Sequence, residues 1–212
     1  VVVDETLIAR AMPYSKTGEH RLRATWMACQ DADSRRLPGV FVECGVWRGG
    51  NLMVARWASP SRLCWIYDTF AGMTAPSRID GEKANYLFGV HGEGKGIKKT
   101  AASVTEVRDN LIAEGVFDGA KIMWVEGDVR VTLRDPKNLP SRIAVLRLDT
   151  DFYDSTKIEL EVLYPLLVSG GYLIVDDYGH WPGCRAAVNE FLGPKVRHLR
   201  SIDYSGMWMV KP

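Results

Sequence analysis

The chain has 212 residues, 46% of them hydrophobic and 25% charged, which is the balance of one ordinary globular domain and excludes disordered, collagen-like and disulfide-scaffold classes. Its 27 Lys plus Arg against 26 Asp plus Glu give a formal charge of +1, so no global field exists to collect phosphate backbones and no nucleic-acid partner is expected. The longest uncharged apolar-leaning stretch, 162–175, contains Pro165, Gly170 and Gly171 and falls short of the ~20 apolar residues of a membrane span, so no membrane partner is expected either.

Taken in chain order, apolar periods switch repeatedly between helical and strand-like, with no internal repeat. Helical spacing over 19–34, ended by Pro38-Gly39, closes an N-terminal helical cap of residues 1–38. Val40-Phe41-Val42 reads as a buried strand stopped by Glu43-Cys44-Gly45, residues 51–58 as its helix, and 63–67 as a second strand stopped by Asp68. Between 71 and 101 no apolar period survives, and Gly72, Gly81, Gly89, Gly92, Gly94 and Gly96 are interspersed with charge, which predicts a structureless glycine-rich lid. Order returns with a helix over 102–114, a strand over 121–125 ending at Asp128, and a strand over 143–148 ending at Asp149 and Asp151. Asp154 is placed to cap a helix reaching about 167, stopped by Gly170-Gly171; 172–175 is a fifth strand ending at Asp176-Asp177. A helix over 186–192 and a terminal hairpin from 196–202 and 206–210 complete the chain. The expected fold is α/β, a doubly wound, mostly parallel sheet in a single domain over 1–212, with ligands beyond the carboxyl ends of the strands.

Those strand ends carry the candidate chemistry. Glu43-x-Gly45-x-x-x-Gly49 is a glycine-rich turn with Trp47 where a dinucleotide fingerprint has its second glycine, so a pyrophosphate is disfavoured. The pattern instead resembles the turn of S-adenosylmethionine (SAM) methyltransferases. Asp68 is placed to accept from ribose hydroxyls and Asp128 to meet an adenine amino group, although each also reads as an ordinary turn cap. Asp149, Asp151, Asp176 and Asp177 at neighbouring strand ends would repel one another unless a cation or protons intervened, and hard oxygen ligands suit Mg²⁺. His180 is a second-tier partner, substrate contact or rival base; His91 could touch substrate; Lys95, Lys98 and Lys99 read as a solvated loop face, and Trp26 and Trp124 as core. Cys29, Cys44, Cys64 and Cys184 form no C-x-x-C pair, which fits a reducing cytoplasm. Val1-Val2-Val3 runs at once into Asp4 and Glu5 and does not read as a secretory signal, and the absence of an initiator Met leaves room for residues upstream.

Four long segments, Phe41 to Gly50, Tyr67-Asp68-Thr69-Phe70-Ala71-Gly72-Met73, Asp149-Thr150-Asp151-Phe152-Tyr153-Asp154-Ser155-Thr156 and Tyr164 to Trp181, closely resemble the macrocin O-methyltransferase family. The resemblance runs from about Tyr14 to the stretch ending at Gly206. It implies a Rossmann-like class I SAM-dependent methyltransferase fold and a Mg²⁺-dependent enzyme that methylates sugar hydroxyls on natural products such as macrolides and aminocoumarins. By the same resemblance Asp149, Asp176 and Asp177 hold the metal and Asp151 is the general base. Glu43, Cys44, Gly45, Val46, Trp47, Asp68, Thr69, Phe70, Gly72 and Asp128 form the cofactor pocket, the segment ending at Ser15 closes over it, and a homo-oligomer is expected. Departures from the family lie mostly in the lid and the N-terminal helix, where acceptor choice would be set.

Two rival readings stand beside this one. Asp149-Thr150-Asp151 also matches the D-x-D metal site of a nucleotide-sugar glycosyltransferase, though that leaves the glycine turn and Asp68 without purpose. A catalytically silent SAM-binding protein is the other.

Overall fold

The computed structural model describes residues 2–92 and 100–212. In chain order its elements are α1 (Glu5–Ala11), α2 (Glu19–Ser34), β1 (Val40–Cys44), α3 (Gly50–Ala58), β2 (Cys64–Asp68), α4 (Gly81–Gly92), α5 (Val104–Ala113), β3 (Ile122–Glu126), α6 (Val129–Thr132), β4 (Ile143–Leu148), α7 (Tyr153–Leu163), β5 (Leu167–Val175), α8 (Pro182–Leu192), β6 (Arg200–Ser201) and β7 (Met207–Val210). The seven strands form one sheet in the order β3-β2-β1-β4-β5-β7-β6. The first five pair in parallel, and β7 runs antiparallel to β5.

Alternation along the central strands gives the sheet two apolar faces. Phe41 joins one core with Leu22, Trp26, Leu52 and Leu111, whereas its neighbours Val42 and Cys44 join the other with Leu146, Leu160, Leu173 and Val188. Helices α2 and α3 cover the first face and α7 and α8 the second, so β4 is buried along its whole length. Strand order reverses between β1 and β4, and a parallel sheet opens a crevice beyond the carboxyl ends at that point. Among the described residues no helix is long and apolar enough to cross a membrane, and all four cysteines are buried and unpaired.

The expected helix over 19–34 and strand over 143–148 match α2 and β4 residue for residue. Four other expectations need correction. The 71–101 stretch holds a 3-10 turn, Arg78–Asp80, and then the twelve-residue α4, in spite of Gly89. Its start is fixed by tertiary contact: the buried Asp80 carboxylate accepts from the Ser77 N–H at 2.7 Å and from the Tyr153 N–H at 2.7 Å, which local apolar periodicity does not register. Gly94, Gly96, Lys95, Lys98, Lys99 and the His91 side chain lie outside the described residues.

Gly170 and Gly171 sit within β5 rather than stopping a helix; α7 ends at Leu163 and passes through a 3-10 turn, Tyr164–Leu166, that carries Pro165. Asp154 lies in the first turn of α7, not at its cap, which is Phe152. The final helix begins at Pro182, where proline's fixed φ suits a first helical position, four residues before the expected start.

One glycine is fixed by close approach. Gly45 has φ +82, and a Cβ there would lie 2.0 Å from the Asp149 carbonyl oxygen. Gly45→Ala is therefore expected to lower the thermal midpoint by about 2–12 °C in calorimetry, since an overpacked site at positive φ loses ~1–3 kcal/mol and each is worth ~2–4 °C at this size. An unchanged midpoint would show that the β1 turn can move away from β4.

Candidate active site

The switch-point crevice is a cavity of about 310 Å³. Its walls include Ser15, Glu43, Gly45, Val46, Trp47, Asp68, Thr69, Gly72 and Asp128 at one end, and Asp149, Asp151, Asp176, Asp177 and His180 at the other. The expected residues thus converge from five strand ends and the N-terminal segment. Cys44 and Phe70 are the exceptions. Strand alternation that aims Glu43 at the cavity turns the Cys44 side chain into the opposite core, so Cys44 contributes its carbonyl, which accepts from the Asp149 N–H at 2.8 Å. Phe70 packs edge-on against Trp124 with ring centroids 6.0 Å apart. Trp26 and Trp124 belong to the core, as expected.

At the first end Asp68 ties two loops together. Its Oδ2 accepts from the Val46 and Trp47 N–H groups at 2.7 and 3.2 Å, and Oδ1 accepts from the Phe70 N–H at 2.8 Å. Trp47 sits at φ +47, a conformation that glycine adopts freely and that a bulky residue holds only when its surroundings impose it. The Asp128 carboxylate caps α6 and is engaged by the Arg130 guanidinium at 2.6 Å, which holds its pKa below the usual range. The N-terminal segment presses close: a Cβ at Gly50 would lie 2.8 Å from the Tyr14 carbonyl oxygen and 2.8 Å from Ser15 Cβ. Thr25 donates to Asn51 at 2.8 Å and fixes α2 on α3 behind that contact.

At the second end two arginines, neither singled out by the sequence, lie among the acids. Arg147 is fully buried; its Nη1 donates to Glu43 at 3.0 Å and to Asp149 at 2.9 Å, and its Nη2 donates to Asp176 at 2.6 Å. Arg21 of α2 pairs with Asp176 and, at 2.9 Å, with Asp203. Arg147 had a visible signal, a lone charge inside the apolar run of β4. Arg21 had none, because it lies among other basic residues on a solvated-looking helix.

Two guanidiniums do not balance five carboxyl groups. Burial pushes Glu43 up to about 8, against the pull of Arg147. Burial and then the Asp149 charge push Asp151 and Asp176 up to about 7, and burial with the neighbouring acids raises Asp177 well above the carboxylate range. Asp149, Asp176 and Asp177 each present an oxygen within 4.8 Å of the others, and Asp177 Oδ2 is buried without a hydrogen-bond partner. His180 contacts Tyr204 Oη through Nδ1 at 3.1 Å and Lys83 Nζ through Nε2 at 3.5 Å; burial and Lys83 lower its pKa.

A crevice at the switch point of a doubly wound sheet, walled by a glycine-rich turn and an acid on the next strand, suits a nucleoside-bearing ligand, and the protein's relatives place it in the class of SAM-dependent O-methyltransferases. The macrocin O-methyltransferase (TylF) family model matches residues 6–211, and the chain belongs to that family. It is 33% identical over 205 residues to the demethyldecarbamoylnovobiocin O-methyltransferase of Streptomyces niveus, covering 93% of this chain and 76% of that one. To the 8-demethyl-8-(2,3-dimethoxy-alpha-L-rhamnosyl)-tetracenomycin-C 4'-O-methyltransferase of Streptomyces olivaceus it is 32% identical, over 90% of this chain and 73% of that one. The solved structure of the O-methyltransferase NovP superposes with a TM-score of 0.80 at 30% identity, covering 93% of this chain and 82% of that one. The glycosyltransferase reading of Asp149-Thr150-Asp151 is set aside by this membership.

The raised carboxyls predict the pH response of the metal-free protein. In the unfolded chain these groups ionise near pH ~4, whereas in the folded chain Glu43, Asp151 and Asp176 hold their protons to about 7–8. Their contribution to stability is therefore fully present in acid and is lost as pH rises through that window. With chelator present, the thermal midpoint is expected to fall from pH 5.5 to pH 8.5 by more in the parent protein than in Glu43→Gln. Equal slopes would remove Glu43 from the balance.

Proposed function

We propose that this methyltransferase is Mg²⁺-dependent and acts on a sugar hydroxyl of a glycosylated natural product. The observation that carries the metal is the unpartnered, buried Oδ2 of Asp177 inside a cluster of three carboxylates, since burying an acidic oxygen without a partner is otherwise strongly unfavourable. An all-oxygen donor set fits a hard cation, so Asp149, Asp176 and Asp177 would hold it. The turn at 43–47, Asp68, Thr69, Gly72 and Asp128 would hold SAM, with Glu43 Oε2, also buried and unpartnered, facing its charged end. The sugar reading is supported by the Streptomyces olivaceus relative, whose substrate carries a rhamnosyl group.

When bound, the cation supplies a field that lowers the pKa of an adjacent hydroxyl, and the sulfonium supplies the electrophilic methyl. The chain's own residues do the remainder. Asp151, whose side chain lines the cavity beside the carboxylate cluster, takes the hydroxyl proton as general base. Asp68 and the β1 turn fix the methyl donor, and the cap at Tyr14 and Ser15 excludes water behind it, because the displacement consumes charge and gains from in-line positioning in a dry site. The family resemblance supports a homo-oligomer, and four buried, unpaired cysteines fit a reducing cytoplasm.

Three experiments test this reading. Chelation is expected to abolish turnover while SAM affinity by calorimetry stays within about threefold; loss of SAM binding would contradict the division of roles. Asp151→Asn is expected to retain metal and SAM binding and to lower kcat at least ~10²-fold, and near-normal turnover would move the base to His180 or to solvent. Mass spectrometry of products from a panel of glycosides incubated with labelled SAM tests the acceptor class, and methylation of aglycones alone would overturn the sugar assignment.

A further inference from the structure

Trp181 joins the two acidic strand ends. Its backbone N–H donates to the Asp177 carbonyl at 3.0 Å, which closes the turn after β5. Its indole Nε1–H crosses to the end of β4 and donates to Asp151 Oδ1 at 2.8 Å. An indole N–H can only donate, so this bond favours Asp151 as an acceptor and fixes which of its oxygens is occupied. The ring itself is held on three sides: edge-on to Phe152 at 5.7 Å, edge-on to His180 at 4.6 Å, and under the Lys83 ammonium of α4 at 5.2 Å. It is 7% exposed, so the donor is not free to swing.

Asp151 has φ +69, in the left-handed region that aspartate enters more readily than most residues, and this turns its side chain out of the β4 direction. Oδ2 of Asp151 has no hydrogen bond to another described residue, and the side chain lines the cavity. We infer that Trp181 is a positioning residue for methyl transfer: its indole N–H holds Asp151 Oδ1 and leaves Oδ2 aimed at the acceptor hydroxyl. This rests on the reading of Asp151 as the base. In the step it serves, the acceptor oxygen forms the bond to the methyl carbon as the carbon–sulfur bond breaks, and the hydroxyl proton passes to Oδ2.

Trp181→Phe keeps a ring against Phe152 and His180 and deletes the donor. Its benzothienylalanine counterpart, which replaces N–H by sulfur in the same bicyclic shape, controls for packing. Both are expected to lower kcat about ten- to a hundredfold, the range for a hydrogen bond to a charged group, with SAM Kd, acceptor KM and the thermal midpoint little changed. In the Asp151→Asn background the same substitutions are expected to cause no further loss, because the two residues act as one unit. In ¹⁵N–¹H spectra the indole resonance missing from Trp181→Phe is expected to shift in Asp151→Ala. A full multiplicative loss in the Asp151→Asn background, parental kcat in the benzothienyl variant, or an unmoved indole resonance would each overturn the inference. If Asp151→Asn itself turns over normally while the resonance still shifts, the bond stands and the base reading, with the role built on it, falls.

Discussion

The Arg147 guanidinium is the interaction on which this site depends. A fully buried arginine is tolerable only if its charge is matched, and Arg147 meets that need through its two terminal nitrogens, which reach Glu43 at the end of β1, Asp149 at the end of β4 and Asp176 at the end of β5, while its Nε has no hydrogen-bond partner among the described residues. Three strands are thereby clamped at the edge where the crevice opens. Without that cation the carboxylates would sit in low dielectric with no fixed counter-charge, and protonation or disorder would follow. The clamp leaves a deficit, however. Glu43 is raised despite its arginine and Asp177 has an oxygen without a partner, so the protein supplies part of the positive charge and leaves room for more.

The same economy of position appears in the cofactor end. Asp68 stitches the β1 turn to the β2 loop through backbone N–H groups, and Asp128 caps α6 while holding Arg130. Both are caps and cavity walls at once, so the capping and ligand readings of these residues do not exclude each other: a carboxylate has enough lone pairs to orient a loop and still accept from a ligand. Non-glycine residues at positive φ follow three strand ends, at Trp47, Phe70 and Asp151, which places backbone strain around the crevice.

Much of this was legible in the sequence because strand periodicity and the acids that terminate each strand are local signals. Glu43, Asp68, Asp128, Asp149 and Asp176 all fall where a parallel sheet delivers its strand ends. What escaped was non-local. The start of α4 depends on Asp80 meeting Tyr153, far along the chain, and Arg21 looked like any other basic residue on a polar helix until its partners were known. Cys44 is a different case: once Glu43 is assigned to the cavity, a period of two already turns its neighbour away, so adjacency in a motif was mistaken for adjacency in space.

The Arg21–Asp203 pair joins residues 182 positions apart, and Arg21 also meets Asp176, which Arg147 reaches from the other side. Like the pairing of β1 with β4, this contact is non-local and forms only once the chain between its partners has been ordered. The crevice therefore acquires its full set of charges only after strands, helices and the terminal hairpin have docked. A chain whose terminal hairpin has not yet docked presents an electrostatically unfinished centre, so acquisition of activity lags behind acquisition of structure, and catalysis itself reports the docking of Asp203.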